Sequence, residues 1–69
     1  MAYKLTPLGE SRALRTDRVK DPENAVIAFM YEEKDALEIE EIAGETRMNE
    51  DSAGRILSRL ISKGYVKEV

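Results

Sequence analysis

The apolar positions of this chain change period along its length, and the changes mark its elements. Tyr3 to Thr6 alternates as a short strand, which the Thr6–Pro7 pair stops. Thr6 is suited to cap a helix with Pro7 at its first position, where proline forfeits no needed hydrogen bond and presets φ. The spacing predicts about three helical turns over "PLGESRALR", with Leu8 and Leu14 as the buried contacts, and then a polar loop at "TDRVK". Asp21 and Pro22 repeat the cap signal, with Glu23 in the first turn, where the helix dipole favours an acid. From Ala25 to Tyr31 the second helix is apolar over more than one face, so it is either central and covered on two sides or part of a homodimer interface.

"EEKD" interrupts that run, and "ALEIEEIAGETR" resumes a helical period with Ile39, Ile42 and Ala43 on one side and Glu38, Glu40, Glu41 and Glu45 on the other. Gly44, Met48 and Asn49 mark the passage to a fourth helix, which Asn49 caps, with Glu50 and Asp51 in its first turn. Ala53, Ile56, Leu57, Leu60 and Ile61 then recur at spacings of three and four, the stripe of a helix packed on a core. Gly64 supplies a left-handed stop and "YVKEV" alternates as a strand. The expected order is strand, four helices, strand, in a single domain over residues 1–69.

A chain of 69 residues must spend most of its apolar side chains on one core, which leaves little for a deep substrate pocket. Cysteine and histidine are absent, so disulfides, thiolate or imidazole metal ligands and the usual neutral-pH acid–base group are excluded. Adjacent carboxylates such as Glu40 and Glu41 diverge by about 100° on a helix and have no partner base, so the chain reads as a non-enzyme with no cofactor and no metal. No apolar run approaches the roughly 20 residues of a membrane span, and the chain reads as soluble and cytoplasmic, without a membrane partner. The net charge of −3 is unevenly spread: +3 over residues 1–20, −8 over 21–46 and +2 over 47–69. If the two basic ends meet, the molecule has one basic and one acidic face.

The stretch 37–66, "LEIEEIAGETRMNEDSAGRILSRLISKGYV", resembles the helix-turn-helix core of winged-helix transcriptional regulators of bacteria and archaea. Ile42 and Ala43 match the apolar–alanine pair of the first helix, Met48 the buried residue of the turn, and Leu57 and Leu60 the core of the recognition helix, 49–62. "KGYV" matches its exit into a strand. Ala43 is small where two helices would cross closely, and Gly54 is expected to serve the same approach. Glu50 and Asp51 depart from the pattern, since family members usually place neutral or basic residues there; the two acids complement the helix dipole or accept hydrogen bonds from cytosine amines. Thr46 stands where a leucine is common, which implies a looser helix.

The resemblance also implies a hairpin and a returning strand after "KGYVKEV", which the chain, ending at Val69, does not supply downstream. "YKLTPLGE" resembles that returning strand and the helix it runs into. The expected fold is therefore mainly α with a small β-sheet: a permuted winged helix-turn-helix in which Tyr3–Thr6 pairs antiparallel with Tyr65–Glu68 and brings Lys4 near Lys67. A swapped dimer, or tandem units of a longer chain, would satisfy the same strand.

The function implied is binding of double-stranded DNA in transcription regulation, with the recognition helix in the major groove. Ser52, Arg55, Ser58 and Arg59 are its candidates for DNA contact, joined by Arg47, Lys63, Lys67 and Lys4 at phosphates. Arg55 and Arg59 have a plainer alternative as solvated surface paired with acids such as Asp51. The alternative function is a winged-helix protein–protein interaction module that does not bind DNA, using the acidic helix 38–45 or Phe29, Met30 and Tyr31. The chain is expected to be a monomer or a homodimer.

Overall fold

A computed structural model describes residues 1–15 and 21–69; the loop expected at "TDRVK" lies outside the described residues. The elements run β1 (Ala2–Leu5), α1 (Pro7–Ala13), α2 (Pro22–Glu33), β2 (Leu37–Glu38), α3 (Ile39–Thr46), α4 (Glu50–Ser62) and β3 (Val66–Glu68). The described residues are thus mainly helical, with a small antiparallel sheet in the order β2-β1-β3.

The first strand finds its partner at the other end of the chain. Tyr3 lies opposite Glu68, Lys4 opposite Lys67 and Leu5 opposite Val66, in antiparallel register. Tyr3 and Ala2 face Leu37 and Glu38 on the other side. β2 corrects the reading of "ALEIEEIAGETR" as one helix. Leu37 is extended and buried on the sheet, and α3 starts only at Ile39, after the Glu38 N–H has donated to the Glu41 carboxylate at 3.2 Å.

Thr6 shows how sequence becomes a joint between elements. Its hydroxyl accepts from the Gly9 N–H at 3.1 Å, capping α1, and donates to the Gly64 carbonyl at 2.6 Å, while its own N–H donates to the Tyr65 carbonyl at 3.0 Å. Gly9 is buried in this joint because a Cβ there would overlap the Tyr65 carbonyl oxygen. The close approach also corrects the expectation for α1. The helix has seven residues, nearer two turns than three, and packs through Gly9 and the half-buried Ala13, which leaves Leu8 and Leu14 turned outward, 56% and 71% exposed.

Helix α2 is the central element, capped by the Asp21 carboxylate, which accepts from the Glu23 N–H at 2.9 Å. It packs on α1, α3, α4 and β1, and buries Val26, Ile27, Phe29 and Met30. With Leu5, Leu37, Ile42, Ile56, Leu57, Leu60 and Val66 these form one hydrophobic cluster. Full burial is worth about 1.5–3 kcal/mol for each such large side chain, which accounts for an all-round apolar helix in so short a chain. The α4 stripe is buried through Ala53, Ile56, Leu57 and Leu60, whereas Ile61 sits at its margin, 36% exposed.

Both ends of the helix pair α3–α4 close in the same way. After α4, Tyr65 N–H reaches the Leu60 carbonyl and Gly64 N–H the Ile61 carbonyl, with Gly64 at φ 84°. After α3, Met48 N–H reaches the Ala43 carbonyl at 3.0 Å and Arg47 N–H the Gly44 carbonyl at 3.4 Å, with Arg47 in the left-handed position at φ 58°. The left-handed stop is therefore Arg47, with Gly44 still inside α3, and it leads Met48 back onto the core. The Thr46 hydroxyl donates to the Ile42 carbonyl at 2.6 Å, a bond back along its own helix. One further expectation changes. A Cβ on Gly54 would make an ordinary 3.6 Å contact with Ile39, so no close helix crossing requires that glycine.

Candidate nucleic-acid interface

Helix α4 begins at Asn49, whose side-chain oxygen accepts from the Ser52 N–H at 2.7 Å. Because the apolar stripe is turned into the core, Glu50, Asp51, Arg55, Ser58, Arg59, Ser62 and Lys63 stand exposed. Two open hollows flank this ridge. One, of about 610 Å³, lies between α4, the Arg47–Met48 turn and the start of α2, with Ser52, Arg55 and Arg59 on its α4 wall. The other, of about 720 Å³, runs between α4, Tyr3 and Ile39, with Glu50, Asp51, Ser58 and again Arg55 and Arg59 on its wall. Arg55 and Arg59 border both hollows and so form the crest. Comparison of the chain with family models, with curated proteins and with solved structures returns no match.

The candidate residues fall into distinct groups. Arg47, Ser52, Arg55 and Arg59 share the first hollow, and Ser58 looks into the second. Arg55 makes no ion pair among the described residues, whereas Arg59 and Lys63 are both engaged. Arg59 Nη1 lies 3.2 Å from one carboxylate oxygen of Glu23 and Lys63 Nζ lies 3.0 Å from the other. The partner of Arg59 is thus a residue of α2, far away in sequence, and not Asp51 on its own helix. The Lys63 hydrogen bond, ahead of the partial burial that opposes it and of the bond from Arg59, holds the Glu23 carboxyl below its ordinary range.

Lys4 and Lys67 meet as directly opposed residues of β1 and β3, both exposed. Neither borders the hollows beside α4; Lys4 lies instead over a small hollow with Glu10, Tyr31, Lys34 and Asp35. The basic chain ends therefore do meet, and the candidate cations are divided between the α4 crest and the sheet.

On the acidic side, Glu32, Glu33, Glu41 and Glu45 border a groove between α2 and α3 that touches Phe29. Phe29 and Met30, offered by the sequence as a contact surface, are 7% and 3% exposed and belong to the core. Tyr31 is half-buried, with the Lys34 ammonium 5.7 Å from its ring centre. Among the described residues no group of three or more His, Cys, Asp or Glu side chains is placed to hold a metal ion, and no helix is long and apolar enough to cross a membrane. Glu23 is the member of the site that sequence reading passed over. Its signal, an acid in the first turn of a capped helix, has a sufficient local explanation in the helix dipole.

Proposed function

We propose that the chain is a permuted winged helix-turn-helix domain that binds double-stranded DNA, with α4 as the recognition helix and a role in transcription regulation. The observation that carries this reading is the α4 crest: Arg55, which makes no ion pair among the described residues, one turn from Arg59, raised between two open hollows on a helix whose other side is locked into the core. A ridge of this kind enters a major groove, while the hollows leave room for the two phosphate strands. Support for the permuted winged fold comes from β1, which lies beside β3 in the place of a returning wing strand, and from the three-residue turn between α3 and α4. Glu50 and Asp51 face the same groove, where carboxylates accept from cytosine amines.

The test is the salt dependence of binding to a labelled duplex. Wild-type protein is expected to bind at low salt, with an affinity that falls linearly on a log–log plot. Arg55→Ala is expected to lower affinity about tenfold or more with an unchanged melting temperature, since the side chain is exposed. Failure of the wild type to bind any duplex at low salt rejects the reading. A protein-interaction module is the second reading, favoured by Leu8 on α1 and Leu14 just after it, which both stand exposed.

A further inference from the structure

The two cations that Glu23 holds are the cations that DNA would take. Its carboxylate uses one oxygen for each, bridging residues 36 and 40 positions away in the sequence. The exposures are unequal: the Glu23 side chain is 20% exposed, those of Arg59 and Lys63 are 59% and 52% exposed. The carboxylate is thus the fixed partner, carried by a residue at the start of α2 whose backbone N–H donates to the Asp21 carboxylate. The cations reach it from α4 and keep outward-facing donors, because a guanidinium carries five N–H groups and an ammonium three. A phosphate arriving at this edge of α4 meets donors already polarised toward a carboxylate, and meets the negative charge of that carboxylate behind them.

We infer that Glu23 is a built-in competitor for DNA phosphate, an anion from the neighbouring helix that occupies Arg59 and Lys63 and sets how tightly and how salt-sensitively the domain binds duplex. The inference rests on the DNA-binding reading. Of the cations around α4, Arg55 makes no ion pair among the described residues, while Arg59 and Lys63 contribute only as far as phosphate shares them with or takes them from Glu23. The device suppresses indiscriminate binding, which depends wholly on such phosphate contacts, and leaves the contact of Arg55 on the α4 crest untouched.

Glu23→Gln removes the charge and keeps the shape. Measured with the wild type on one labelled duplex across a salt series, the variant is expected to bind about tenfold more tightly at low salt, with a log–log slope steeper by about 1–2, the share of two recovered phosphate contacts. Glu45→Gln, the same change of net charge on the α2–α3 groove, is expected to alter affinity by about twofold or less, since distant exposed charges are screened. Should Glu23→Gln fail to fold, as judged by circular dichroism, Glu23→Asp carries the test. It keeps the charge but withdraws the carboxylate by one methylene, and about a two- to threefold gain is expected. Tighter and more salt-sensitive binding by the variant than by a wild type that itself binds supports the inference. A wild type that binds while Glu23→Gln binds equally or more weakly overturns it and leaves the DNA reading standing. Absence of binding by both proteins removes the reading and the inference together.

Discussion

Two glycines that look alike in the sequence have opposite physical roles. Gly9 lies where α1 meets the turn before β3, and a methyl group there would displace the Tyr65 carbonyl, which accepts the Thr6 N–H. Gly54 lies inside α4, where a methyl group would touch only the end of the Ile39 side chain at an ordinary distance. Gly9→Ala is therefore expected to destabilise the fold by about 2–3 kcal/mol, the cost of forcing backbone apart at a packed contact. Gly54→Ala should stabilise it by about 0.5–1 kcal/mol through helix propensity. Urea denaturation of both variants checks the pair, and equal signs would contradict the assigned contacts.

Among the elements, the sheet is held by few residues and carries one unfavourable pairing. Lys4 and Lys67 are direct cross-strand neighbours, and like charges in that position repel. Lys67→Glu should make the pair attractive and raise stability by about 0.5 kcal/mol. On the DNA-binding reading the same substitution lowers duplex affinity and reduces the salt slope by about 1, because a phosphate contact is lost. Thermal melts and binding on the same protein separate the two effects. A gain in stability with unchanged affinity would place the sheet outside the interface.

For the whole molecule, Glu23 ties the start of α2 to the end of α4 and so couples folding to pH. Its carboxyl is held below the ordinary value of 4.5, by Lys63 first, so the folded state binds this proton more weakly than the unfolded chain does. The stabilisation is complete above the ordinary value and is lost as pH falls through the lowered one. Two exposed pairs of this kind contribute about 1 kcal/mol together. Melting temperatures of wild type and Glu23→Gln should therefore differ at neutral pH and converge as pH falls through the lowered pKa of Glu23. A difference that persists or grows on acidification would show that the residue acts through packing instead.

Where the signal was local, the sequence alone determined the outcome. Thr6, Asp21 and Asn49 cap their helices because a short polar side chain satisfies the nearest free N–H groups, and Gly64 ends α4 because it accepts a positive φ. The pairing of the terminal strands was legible too, since neither "YKLT" nor "YVKE" can stand without a partner. Other outcomes depended on contacts between residues far apart in the chain. Leu8 and Leu14 are exposed because the Tyr65 carbonyl draws Gly9 inward, and Leu37 is a strand residue because the edge of β1 is open to it. Arg59 and Lys63 read as open phosphate contacts until the packing of α2 on α4 brings Glu23 between them. Capping is decided within a turn of chain, whereas burial and ion pairing are decided by which surfaces meet, and only the tertiary structure settles that.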